Sequence, residues 1–188
     1  MTLFEKAAVF AIKAHEGMMR KGDRLPYIIH PFEVASIAAT MTEDEEVLAA
    51  ALLHDTIEDT DTTVDDIEQE FGARVAYYVM METERQFDDV PRDKSWIQRK
   101  AVSLEELGNC KDRNVMILWL SDKLSNMRSF YREWKKGGQK IWESMNQNDP
   151  VKQAMYYRVI SKLTGELKDL EAWQEFNTLV ETVFKEVR

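Results

Sequence analysis

A chain of 188 residues is long enough to bury a real core as one domain, and its 44% hydrophobic and 31% charged residues are ordinary for a globular protein. The formal charge of −9 argues against a nucleic-acid partner or an anionic membrane surface, yet leaves room for an anionic small molecule at a local basic patch. One cysteine, Cys110, excludes an internal disulfide and suits a reducing, cytoplasmic setting.

Seven glycines and four prolines are few, which suits a mostly helical chain. Residues 2–19 have Leu3, Ala7, Phe10, Ala11 and Ala14 at helical spacing, and Thr2 with Glu5 makes a capping box at the start. Charges inside that apolar pattern make the segment neither a signal peptide nor a membrane span. His15 lies on this helix and is read as a packed or surface residue. A short basic loop, Arg20-Lys21-Gly22-Asp23-Arg24, follows. Pro31 favours the first turn of a new helix over 31–41, so His30 stands where that helix begins. A central helix is expected over 43–58. Thr62 or Thr63 then caps a helix over 64–71 that Gly72 ends. The next helix, 73–84, has Val75, Val79 and Met80 on one face, and residues 85–93 are polar with a proline and read as loop.

Helices are further expected over 94–107, with Gly108-Asn109 as the stop, and over 113–136, ended by Gly137-Gly138. In the latter, Ile117, Leu118, Leu120 and Leu124 surround Asp122, which places that carboxylate partly in the core and in need of a partner. A short helix and polar loop fill 139–149, and Pro150 opens a last helical region broken once by Gly165. No clear strand, repeat or low-complexity tract interrupts the pattern, and most Trp, Met and Phe residues fall where a helical core would use them. The fold class is therefore all-α, a single domain over 1–188.

The chemistry concentrates in residues 52–63, LLHDTIEDTDTT. On a continuous helix, His54, Asp55, Glu58 and Asp59 would fall within about one turn of each other. Three carboxylates so close repel, and a divalent cation among them relieves the repulsion. The acids alone fit a solvated helix end equally well; the His-Asp pair at the end of an apolar run tips the reading towards a site. His30, His54-Asp55 and Asp122 each offer a donor where a helix begins, ends or is buried. Two imidazoles and two carboxylates suit one divalent transition metal that accepts mixed nitrogen and oxygen donors. With only His15 left over, a single ion is expected rather than a pair.

The stretches PYIIHPFEVA (26–35), AALLHDTIEDTDTT (50–63), FGARV (71–75) and SDKLSNMR (121–128), in this order, resemble the HD phosphohydrolases. Within them the resemblance is closest to the hydrolase domains of the RelA/SpoT family and to the stand-alone small alarmone hydrolases. It implies a compact multi-helix HD fold with the metal site between central helices. It also implies His30, His54, Asp55 and Asp122 as ligands of one divalent ion, usually manganese. Glu58 and Asp59 match the acidic pair that activates or orients the attacking water. Arg20 matches the arginine that packs on the guanine base, with Lys21 beside it as a candidate for offsetting phosphate charge. Asn126 matches a residue near the ribose and 3′-phosphate, and Lys152 and Tyr156 match later substrate contacts more loosely.

The implied reaction is hydrolytic removal of the 3′-pyrophosphate of ppGpp or pppGpp, with a small nucleotide as the only expected partner. Alarmone synthesis is not expected, since no synthetase module follows. The sequence sets no oligomeric state. The segment 80–100, MMETERQFDDVPRDKSWIQRK, departs from the family, and Arg99 or Lys100 within it stands where relatives place a basic residue near the pyrophosphate. That departure keeps a second enzyme reading open, an HD phosphatase of NADPH or a nucleoside monophosphate. A silent nucleotide-binding regulatory module is the third reading; the full set of metal and acid residues argues against it.

Overall fold

The first helix, α1 (Leu3–Ala14), starts at the capping box foreseen above: Thr2 accepts from the Glu5 amide, and the Glu5 carboxylate accepts from the Thr2 amide. It ends earlier than 19, because the chain turns at His15 and reaches a left-handed Gly17 (φ 76°). The computed structural model describes residues 1–20, 25–87, 90–91, 94–144 and 147–187. Among them every named element is helical, and the one extended pairing is an isolated bridge between Met19 and Pro26. None of these helices is long and apolar enough to cross a membrane.

The chain packs as two units, Met1–Thr83 with Asp112–Asp122, and Glu84–Lys111 with Lys123–Arg188. The first unit is built on α3 (Glu45–Leu53), which packs against α1, α2 (Ile29–Ala38) and α6 (Ala73–Glu82). Val47, Ala49, Ala50, Ala51, Leu52 and Leu53 are all fully buried. The run of alanines gives α3 a slim body that helices can approach from several sides, and the two leucines contribute about 1.5–3 kcal/mol each by burial. Helix α2 begins at Ile29, two residues ahead of the expected start. Pro31 still falls in the first turn, where its missing N–H costs nothing.

The expected helix over 43–58 is broken in two: α3 stops at Leu53, and a single turn, α4 (Thr56–Asp59), follows. The cause is local. The Thr56 hydroxyl donates to the Leu53 carbonyl at 2.7 Å and His54 Nδ1 donates to the Ala51 carbonyl at 2.9 Å, so side chains take main-chain acceptors at the junction. Thr63 caps α5 (Val64–Phe71) in a second capping box with Asp66, and Gly72 at φ 91° ends it, as the sequence suggests. On α6 the buried face is Val75, Ala76, Tyr78, Val79 and Glu82; Met80, expected on that face, is 45% exposed. The first ten residues of α8 (Arg113–Gly137) complete this unit, with Val115, Ile117, Leu118 and Leu120 buried and the Trp119 indole donating to the Met81 carbonyl at 2.8 Å.

In the second unit α9 (Pro150–Leu163) packs against α7 (Trp96–Asn109) and α10 (Glu171–Val183). Asp149 caps α9 by accepting from the Val151 and Lys152 amides. Gly108, expected as a stop, lies inside α7, which runs on to Asn109. Tyr157, Phe176 and Phe184 form an aromatic core on which Trp142 stacks at 5.2 Å. Arg128 grips Glu175 through two parallel bonds of 2.6 Å. Arg158 donates to the Phe184 and Val187 carbonyls and so holds the C-terminal turn.

Candidate metal centre

Three separate elements of the first unit deliver the site. His30 sits in the first turn of α2, His54 caps the C-terminus of α3, Asp55 follows in the break, and Asp122 comes from α8. One ligand atom each from His30, His54 and Asp122 lie within 4.8 Å of one another, and all three residues are buried. His30 Nε2 is 3.0 Å from Asp122 Oδ1 and 3.5 Å from Asp55 Oδ2. His54 Nε2 is 2.9 Å from Asp55 Oδ2 and 3.6 Å from Asp122 Oδ1. The two imidazole rings meet edge to face at 5.1 Å.

The chemistry of the donors can be read from their hydrogen bonds. A carbonyl only accepts, so the bond from His54 to Ala51 puts the proton on Nδ1 and leaves Nε2 with a lone pair in the neutral ring. That Nε2 is fully buried and finds no partner of hydrogen-bonding geometry, although two carboxylate oxygens are close. A buried lone pair aimed among carboxylates without a donor is the arrangement a shared cation satisfies. Electrostatics agree. Burial, the largest influence on His54, opposes charge on the ring, yet Asp55 and Asp122 outweigh it and hold its pKa well above the usual histidine value. Burial likewise opposes charge on Asp55, but His54 and His30 overcome it and keep that carboxyl below the ordinary carboxylate range. The pocket draws positive charge to its centre. The donor set fits a divalent metal there.

Glu58 and Asp59 lie on α4, directly after the break. They line a cleft of about 620 Å³ together with Ala14, Asp61 and Asp66, and none of the four candidate ligands is among its lining residues. Arg20 is half-buried, and its amide donates to the Leu25 carbonyl at 2.8 Å. Lys21 lies outside the described residues. The other expected substrate contacts belong to the second unit. Lys100 is paired with Glu84, which also pairs with the buried Arg99, and its ammonium stands 4.7 Å over the Tyr156 ring. Tyr156 is buried, with a hydroxyl that finds no partner. Lys152 is 3.7 Å from its own cap, Asp149, and Asn126 is half-buried on α8.

Residues 7–151 match the family model of the HD domain. The chain belongs to the HD-domain family. Among curated relatives it is 39% identical over 134 residues to the guanosine-3′,5′-bis(diphosphate) 3′-pyrophosphohydrolase of Aquifex aeolicus, covering 70% of this chain and 18% of that one. It is 42% identical over 125 residues to the bifunctional (p)ppGpp synthase/hydrolase SpoT of Escherichia coli, covering 66% and 17%. The chain thus spans less than a fifth of the curated relatives it matches. Two solved structures share the fold. A metazoan ortholog of SpoT, described as hydrolysing ppGpp and playing a role in starvation responses, superposes with a TM-score of 0.74 at 22% identity, over 99% of this chain and 96% of its own. The protein lmo0812 of Listeria monocytogenes EGD-e does so with a TM-score of 0.72 at 29% identity, over 83% and 99%. The HD domain is thus all-α here too, as the sequence resemblance implies.

One residue at this centre carries no role in the sequence reading. Tyr27, inside the PYIIHP stretch, donates its phenol proton to Asp55 Oδ2 at 2.5 Å. Burial, reinforced by the Asp55 and Asp59 charges, raises its pKa far above the usual phenol value and keeps it a donor. A tyrosine three residues ahead of a candidate ligand was the available signal, but linear spacing cannot show that it reaches a carboxylate 28 positions away.

Proposed function

We propose that this chain is a metal-dependent hydrolase that removes the 3′-pyrophosphate of (p)ppGpp, with one manganese ion held by His30, His54, Asp55 and Asp122. The observation that carries the reading is the convergence of these donors on the unpartnered Nε2 of His54. The names of the relatives from Aquifex aeolicus and Escherichia coli support the substrate. A divalent ion at these donors would supply Lewis acidity towards water and phosphate oxygens. Glu58 and Asp59, on the turn that follows, take the general acid–base work of accepting the proton of the attacking water and orienting that water. Arg20 serves the guanine base. The assignments of Lys21, Lys100, Asn126, Lys152 and Tyr156 as substrate contacts rest on the family resemblance, and 1–188 is taken as one functional unit in the cytoplasm.

The reaction consumes one water and yields GDP or GTP and pyrophosphate. A substrate panel of ppGpp, pppGpp, NADPH and deoxynucleoside monophosphates, with manganese added and products identified, tests it. Release of pyrophosphate from the first two supports the proposal; turnover confined to the others overturns the substrate assignment and leaves an HD phosphatase. That second reading stays in the panel because Arg99 and Lys100, the cations offered for the pyrophosphate, are engaged by Glu84.

A further inference from the structure

Tyr27 occupies the turn that leads into α2, and that turn is fixed by main-chain bonds. The Tyr27 N–H donates to the Met18 carbonyl and the His30 N–H donates to the Tyr27 carbonyl, each at 2.9 Å. From this anchored position the side chain touches two members of the metal centre. Its ring stands edge-on to His30, with centroids 5.9 Å apart and planes at 73°. Its hydroxyl donates to Asp55 Oδ2, the same oxygen that lies 2.9 Å from His54 Nε2 and 3.5 Å from His30 Nε2. His15 packs against the Tyr27 ring at 4.9 Å and is itself 3% exposed, which limits the room the phenol has to swing.

Asp55 needs such a partner. It is the N-cap of α4, with its carbonyl accepting from the Asp59 amide at 3.0 Å, but no cap bond holds its carboxylate, and its side chain keeps 21% of its surface exposed. A carboxylate there can rotate. Occupying one lone pair of Oδ2 with the phenol proton fixes the rotation and leaves the other lone pair facing the imidazoles.

We infer that Tyr27 is a positioning residue of the metal centre: its hydroxyl holds Asp55 and its ring holds His30 in the arrangement that binds a divalent ion. The inference rests on the metal-binding reading above. Its test is Tyr27→Phe, which keeps the ring against His30 and His15 and removes only the proton donor. Titration of metal-free protein with manganese, followed by calorimetry, is expected to give a dissociation constant about 10- to 100-fold weaker than wild type. Whatever small loss of midpoint the missing hydrogen bond brings to the metal-free variant, turnover of ppGpp should need more manganese than in wild type and recover when manganese is in excess. A merely structural role would move the midpoint and not the metal dependence. Tyr77→Phe, at an exposed tyrosine of α6, is the control and should bind manganese as wild type does.

A Tyr27→Phe protein that binds manganese as tightly as wild type overturns the positioning role alone. A wild type that takes up no manganese overturns the metal reading and this inference with it.

Discussion

If a divalent ion bridges residues that only the fold brings together, it binds the native chain and not the unfolded one, and the protein must melt later in its presence. The ligands come from α2, the α3–α4 junction and α8, so unfolding disperses the set. With free manganese at roughly 100 times its dissociation constant, linkage adds about 2.7 kcal/mol to the folded state. At about 2.1 cal/mol/K per residue, a chain of 188 residues has an unfolding entropy of roughly 0.4 kcal/mol/K, so the midpoint should rise by about 7 °C. Asp122→Ala removes a buried carboxylate 3.0 Å from His30 Nε2 and should abolish most of this rise. The comparison is made within each protein, with and without manganese, so any change in the variant's own stability cancels. All four donors belong to the first unit, so a scan that separates two transitions should show the shift on that unit. An equal manganese-induced rise in wild type and Asp122→Ala would remove Asp122 from the centre.

Three more outcomes are expected. Because Asp55 and Asp122 push the His54 pKa up, a proton competes with manganese for its ring; affinity should rise with pH, and calorimetry in buffers of different ionisation enthalpy reads the proton released on binding. A binding enthalpy independent of the buffer would contradict that. Glu58→Gln should lower turnover by ~10²-fold or more while metal content, measured by elemental analysis, stays at the wild-type level; loss of the ion would instead make Glu58 a ligand. Glu84→Ala should destabilise the protein by about 3–5 kcal/mol in chemical denaturation, because it takes from the buried Arg99 the half-buried carboxylate that it shares with Lys100. A change under 1 kcal/mol there would show that the pair contributes little.

The helices were legible because their signals are local. Thr2 with Glu5, Thr63, Gly72 and Pro150 act on neighbours a few residues away, and each stands where the structure uses it. Where the reading failed, a longer-range or side-chain effect decided. The 43–58 helix has no glycine or proline to mark its break; the break arises when Thr56 and His54 take main-chain carbonyls, and both residues are tolerated inside helices elsewhere. Met80 has the spacing of a core residue on α6, but Tyr78 and Glu82 take the buried face, and periodicity alone cannot choose between adjacent stripes.

The break also bears on function more than the helix would have. On an unbroken helix, Asp55 would simply continue the turn after His54. In the broken chain Asp55 has φ −94° and ψ −3°, and its Oδ2 sits between the two imidazoles and under the Tyr27 phenol. The same carbonyl capture that interrupts the helix also fixes the His54 proton on Nδ1, so one local conflict sets both the ligand's tautomer and its neighbour's direction. A reader of the sequence can list donors of the right type in the right order. Which oxygen and which nitrogen face the shared point depends on side-chain hydrogen bonds, His54 to Ala51 and Tyr27 to Asp55, that the order of residues does not display. Removing one of the two captured carbonyls by Thr56→Ala should therefore weaken manganese binding measured by calorimetry, even though Thr56 is no candidate ligand and its loss leaves every donor in place; wild-type affinity in that variant would refute this.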